Sequence, residues 1–198
     1  MNESAKPRIF LILSLFLGLV TAACGGGAEE PPLKGARIGG AFTLTDQDGR
    51  QVSERDFRGK FAIVYFGFAN CPDICPTDLA KIGQALRIFE KEDPGRAAKV
   101  QPIFVTTDPE RDTPAVLKAY VASFHPRLVG LTGTPQQVAD AAKAYAVYYS
   151  KVPNEGGGYS MDHMRITFLM GPGGEPIAML PHEEEPKVIA AELERWVR

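Results

Sequence analysis

The stretch KFAIVYFGF, residues 60–68, runs from its lysine onward almost without a polar residue and is rich in aromatic and β-branched side chains. A strand with one face in water alternates apolar with polar positions. One that does not is buried on both faces, inside a sheet covered by helices above and below. This segment therefore asks for an α/β domain with a central sheet.

The neighbouring patterns supply the rest of such a domain. GAFTLTDQDGRQVS alternates around the turn signal Asp48-Gly49 and predicts an N-terminal hairpin. Leu79, Ile82, Leu86 and Phe89 fall at helical spacing, predicting a helix that becomes regular at Pro76 and ends near EDPG. VQPIFVTTD reads as a second buried strand. Thr113-Pro114 and Thr134-Pro135 each open a helix, a capping threonine followed by a proline whose missing N–H costs nothing there, and Gln137 completes a capping box. RLVGLTG and AVYYSKVP read as strands, NEGGGYSMDH as a loop, MRITFLM and IAMLP as a second hairpin, and EPKVIAAELERWV as a closing amphipathic helix. The expected architecture is a mixed central sheet flanked by helices over residues 37–198, an order that suits a thioredoxin-like fold.

Cys71 and Cys75, in FANCPDICPTDL, sit where the apolar strand hands over to a helix. The positive end of the helix dipole is expected to lower their thiol pKa and favour thiolates, and a spacing of four places both sulfurs on one side of a turn. Structural thiols, a redox dithiol and a pair of metal ligands all remain open. A structural disulfide would close too small a loop to constrain the unfolded chain much.

A metal needs a third ligand from another element. Of three histidines, His125 in SFHPR is expected to cap its helix or face solvent, and His182 in LPHEEE lies at a strand-to-helix junction. His163 ends a glycine-rich loop before an apolar strand, which in a thioredoxin-like sheet lies beside the cysteine turn.

Three stretches together, FGFANCPDICPTDLAKI, FVTTDPERDTPAVLKAYVASFHPRLVGLTGT and DHMRITFLMGPGG, resemble the Sco/SenC family of thioredoxin-like copper proteins from about Ile38 to about Trp196. The resemblance implies one copper ion held by Cys71, Cys75 and His163. It also implies a role in maturing the copper centre of a haem-copper cytochrome c oxidase, whose copper-bearing subunit would be a partner. Two sulfurs and one imidazole form a soft set suited to Cu(I), with Cu(II) as a second state, and leave zinc short of its usual fourth ligand. Asp162 is expected to orient His163 or to be an exposed carboxylate. Met161 and Met164 flank the histidine and either pack or lend thioethers; relatives more often carry Ser or Thr where Met164 stands.

A thiol-disulfide oxidoreductase, with Cys71 attacking and Cys75 resolving, is the rival reading. Against it stand three residues rather than two between the cysteines, and Asp162-His163-Met164 where such reductases place a proline before the strand. A peroxiredoxin-like peroxidase wants Thr or Ser where Phe68 stands. Asp108, Glu110 and Arg111 in TTDPERD have no assigned chemistry; a solvated loop held by local salt bridges and a partner-docking surface account for them equally.

Residues 1–23 read as an export signal: Lys6 and Arg8, the apolar run from Ile9 to Val20, then small residues before Cys24. TAAC followed by three glycines resembles a bacterial lipobox, with Thr21 where Leu is usual; Cys24 is the expected lipidation site, a short uncleaved anchor the alternative, and residues 24–36 a flexible tether. The expected location is the outer or periplasmic face of the cytoplasmic membrane, anchored through the lipid. The formal charge of −2 supplies no basic excess, so no nucleic-acid partner is expected.

Overall fold

The computed structural model describes residues 29–198; the export segment and Cys24 lie outside the described residues. The hairpin β1 (Thr43–Asp46) and β2 (Gln51–Ser53) is followed by β3 (Phe61–Gly67), α1 (Ile74–Glu92), a short α2 (Pro94–Ala97) and β4 (Val100–Thr106). Then come α3 (Pro114–Ala122), β5 (Val129–Thr132), α4 (Pro135–Ala144), the strands β6 (Tyr149–Pro153), β7 (Tyr159–His163), β8 (Thr167–Met170) and β9 (Pro176–Met179), and α5 (Pro186–Trp196). Seven strands form one sheet in the order β2-β1-β5-β4-β3-β8-β9, while β6 and β7 pair separately.

β3 lies between β4, which runs parallel to it, and β8, which runs antiparallel, and all seven of its residues are buried. Its period of two divides the core. Ile63 and Tyr65 face α1, α3 and α5, whereas Ala62, Val64 and Phe66 face α4 and the segment through Val147. This mixed, helix-flanked sheet is thioredoxin-like, and it carries the functional residues at the end where β3 and β4 finish.

Three local expectations change. Residues 154–163 are not one long loop: Tyr159–His163 forms β7, paired in register with β6 from Pro153↔Tyr159 to Tyr149↔His163. The strand exists because β6 supplies a partner. α1 starts at Ile74, two residues before Pro76, so Pro76 sits in the first turn where its missing N–H would have had no partner anyway. The chain also joins the fold before residue 37, since Leu33 packs on the core and its N–H donates to the Ile177 carbonyl at 3.0 Å. Among the described residues no helix is long and apolar enough to cross a membrane.

Candidate metal centre

β3 ends at Gly67, and the chain then turns through residues 68–73 into α1. The Cys71 N–H donates to the Phe68 carbonyl at 3.2 Å, which leaves Cys71 in the turn, partly exposed, and Cys75 in the first helical turn, fully buried. The two cysteines are free thiols, and the Cys75 N–H points at Cys71 Sγ at 3.5 Å. Asp112 fixes the start of the turn by accepting from the Ala69 N–H at 2.9 Å and the Thr106 hydroxyl at 2.6 Å. Gly67 is required by packing, since a Cβ there would stand 3.0 Å from Cys75 Sγ and 2.9 Å from the Tyr65 ring.

The expected lowering of thiol pKa does not hold at Cys75. Burial penalises its thiolate, and the pKa is pushed up to about 12 despite the helix start. Desolvation outweighs the dipole because the sulfur lies among Tyr65, Phe68 and Leu79 rather than in water.

His163 closes β7, and its ring stands edge-on to Phe68 (centroids 5.9 Å apart) and to Tyr65 (6.5 Å). Nε2 lies 3.4 Å from Cys75 Sγ. Nδ1 lies 3.1 Å from the Met164 carbonyl, which can only accept, so Nδ1 carries the proton and donates. In the neutral ring the lone pair therefore belongs to Nε2 and faces the sulfur, the arrangement a metal-binding imidazole needs. Burial also holds the ring's pKa below its usual value, favouring this neutral form.

The Met164 carbonyl thus orients the ring, and of the two roles expected of Asp162 the structure shows the exposed carboxylate. Strand alternation turns Asp162 outward, where it is exposed, and turns Met161 inward into the core. The Met164 side chain is exposed.

TTDPERD proves to be a clamp rather than a solvated loop. Asp108 is fully buried; it pairs with Arg111 and accepts from the Tyr159 hydroxyl at 2.9 Å. Arg111 covers the Tyr159 ring at 4.0 Å and donates to the Tyr159 carbonyl at 2.9 Å. Lys151 approaches the same ring at 4.6 Å while pairing with Glu110 at 2.5 Å. The motif grips the start of the strand that ends in His163.

Sequence reasoning missed a second buried group. Asp78 has no exposure; it accepts from the Tyr65 hydroxyl at 3.0 Å and pairs with Arg165, while His182 Nε2 lies 3.8 Å away without a hydrogen-bond partner. His182 Nδ1 is 3.0 Å from the Thr167 hydroxyl. The available signal was an acidic residue on the helix face that also carries Cys75 and Leu79. His125 does not face solvent either: it is buried, 3.4 Å from Glu90, and accepts the Arg127 N–H at Nδ1.

The fold thus brings Cys75 and His163 together and leaves Cys71, half-buried, with its sulfur facing the Cys75 N–H. Among the described residues no three His, Cys, Asp or Glu side chains are already gathered to hold a metal. The donor set nevertheless fits one. Two donors each about 2.0–2.3 Å from a shared ion at a trigonal angle sit roughly 3.7 Å apart, against 3.4 Å between Sγ and Nε2 here. Sγ and Nε2 would therefore have to part by only a few tenths of an ångström to share an ion.

Residues 30–198 match the SCO1/SenC family model. The mitochondrial protein SCO1 of Saccharomyces cerevisiae is 44% identical over 152 residues, 76% of this chain and 50% of that protein. A SCO2-like protein of Rickettsia felis is 34% identical over 199 residues, 94% of this chain and 95% of that one. The solved structure of Bradyrhizobium japonicum ScoI with copper bound superposes with a TM-score of 0.73 at 43% identity, covering 80% of this chain and 99% of that chain. The chain spans about half the length of the mitochondrial relatives it matches.

Proposed function

The chain belongs to the SCO1/SenC family, and on that premise we propose that it is a copper metallochaperone whose cargo is one copper ion bound by Cys71, Cys75 and His163. The observation that carries the reading is Nε2 of His163, deprotonated by the lock on Nδ1 and aimed at Cys75 Sγ at 3.4 Å. Copper in a related structure of 43% identity supports the choice of metal, as does the soft donor set.

The unequal exposure of the sulfurs suggests an order of events. Cys71 lies in the turn, partly exposed where the Cys75 sulfur is not, and is the sulfur that a recipient thiol or imidazole can reach first. Cys75, the fully buried sulfur, is the donor that retains the ion until exchange is under way. The recipient we infer is the copper-bearing subunit of cytochrome c oxidase. Residues 1–24 support export and lipid attachment at Cys24, which would hold the domain at the outer face of the cytoplasmic membrane.

Copper titration of the reduced, metal-free protein tests this reading. One tightly held Cu(I) is expected, with loss in Cys71→Ser, Cys75→Ser and His163→Ala. Retention unchanged in His163→Ala would remove the three-ligand site. A thiol-disulfide reductase is the second reading, favoured by the partly exposed Cys71 sulfur facing the Cys75 N–H. It would show turnover on a disulfide substrate that survives the histidine change.

A further inference from the structure

Asp78 follows Cys75 by three residues on α1, so the two side chains share one face of the helix. Arg165 follows His163 by two residues, in the short link that joins β7 to β8. These two residues meet as a fork. Arg165 Nη2 donates to Asp78 Oδ1 at 2.5 Å and Nε donates to Oδ2 at 2.8 Å, while Nη1 reaches Glu183 at 2.7 Å. One element carrying a donor is thereby tied to the other.

We propose that Asp78 and Arg165 are a positioning pair that sets the spacing between Cys75 and His163, and with it whether the imidazole serves as the third copper ligand. The proposal rests on the ligand reading above. A carboxylate with no exposure cannot be parted from its counter-charge cheaply, so this tie is firmer than a surface ion pair. Its planar, two-bond geometry fixes direction as well as distance, which a single ammonium would not. From Arg165 back to His163 is only about 7 Å of extended chain, so the link has little slack.

The rest of the hairpin is held elsewhere. The Asp108–Arg111 clamp grips Tyr159, at the opposite end of β7 from His163. Near His163 the backbone has the last β6 pairing, Tyr149↔His163, the Met164 N–H bond to the Tyr148 carbonyl at 2.9 Å, and then the fork. Tyr65 joins the same arrangement, since its hydroxyl donates to Asp78 and its ring walls the imidazole. One carboxylate therefore anchors the helix, the link and the aromatic wall.

The test is a cycle on Cu(I) affinity, measured by competition with a chelator. Arg165→Met alone would strand a buried carboxylate and risks unfolding, so the main variant is Asp78→Leu with Arg165→Met, which removes both charges. Arg165→Lys keeps the charge and removes the fork, and provides a second, folded variant. Both are expected to bind Cu(I) more weakly, the double variant by about 10–100-fold. In the double variant, His163→Ala is expected to cost almost nothing further, because the imidazole no longer reaches the ion. In metal-free protein, nuclear Overhauser contacts from the His163 ring to the rings of Phe68 and Tyr65 are expected in the parent and lost in the double variant.

A His163→Ala penalty of the same size in both backgrounds, with those contacts retained, would overturn the positioning role. If His163→Ala costs nothing in the parent, the ligand reading fails instead, and the metal-free ring contacts alone then decide whether the pair places the imidazole.

Discussion

Arg111 lies over the ring of Tyr159 at 4.0 Å and also donates to the Tyr159 carbonyl, fixing both the side chain and the backbone of the residue that begins the histidine-bearing strand. The same guanidinium neutralises Asp108, which has no exposure. A motif distant from Tyr159 in the chain, by 48 residues at Arg111, thus holds the hairpin from one end.

Removing that guanidinium should both destabilise and loosen. Arg111→Ala leaves Asp108 buried beside only the Tyr159 hydroxyl, and the loss of stability is expected at about 3 kcal/mol. Urea denaturation measures it. Hydrogen exchange should quicken in β6 and β7 and stay slow in β3 and β4. Equal acceleration across the whole sheet would show that the clamp acts on global stability and not on the hairpin.

Gly67→Ala should harm the site from behind. The added Cβ would stand 3.0 Å from Cys75 Sγ, 2.9 Å from Tyr65 Cε1 and 3.2 Å from Phe104 Cε2, with no flexible neighbour to give way. Overpacking of this kind costs about 1–3 kcal/mol, and displacement of the sulfur should weaken copper binding. A variant with parental stability and parental affinity would contradict the packing.

Copper uptake should be strongly pH-dependent. With its pKa pushed up to about 12 by burial, the Cys75 thiol still carries its proton at neutral pH, and the metal must displace it. Affinity should therefore climb as pH rises, by up to about tenfold per unit for each proton released. Metal-free stability responds in the opposite sense. The folded thiol holds its proton above its ordinary value of 9.0, so this contribution is complete below pH 9.0 and is lost as pH rises towards 12. Chelator competition at several pH values, with proton release followed in weak buffer, checks the first statement. A pH-independent affinity would mean that Cys75 is already ionised.

Mild acid should destabilise the metal-free fold. His125, His163 and His182 are all held below the ordinary value of 6.5, in each case first by burial. The unfolded chain takes up protons below that pH that the folded chain refuses. Stability is therefore complete above pH 6.5 and falls as pH drops below it, by up to about 1.4 kcal/mol per unit for each histidine. His125→Gln, remote from the metal centre, should reduce the slope of unfolding free energy against pH. An unchanged slope would show that this ring is not protonated differentially.

Much of the arrangement was legible beforehand because it depends on local pattern. The unbroken apolar run of β3 identified a two-sided central strand, and Thr134 with Gln137 forms the capping box that their spacing indicated. Cys71, Cys75 and His163 stood out as chemistry-bearing residues beside an apolar strand. What could not be seen was burial and partnership. His125 reads as a surface residue until Glu90 and Arg127 close around it, and β7 reads as loop because its short alternation means nothing without β6 alongside. Asp108, Asp78 and Arg165 look like ordinary surface charges, since a linear chain does not disclose which carboxylate will find its counter-ion in the interior.

Sequence by itself determined which chemistry-bearing groups the chain has and where they are attached: two sulfurs at a strand-to-helix turn and an imidazole before another strand, on a thioredoxin-like sheet. Tertiary structure decided their state. It placed Nε2 of His163 at 3.4 Å from Cys75 Sγ, chose the ring's tautomer through the Met164 carbonyl, and kept the Cys75 proton in place. The reason is that helix and strand patterns act over a few residues. Desolvation and charge pairing depend on which distant groups exclude water from one another, and only the folded chain specifies that.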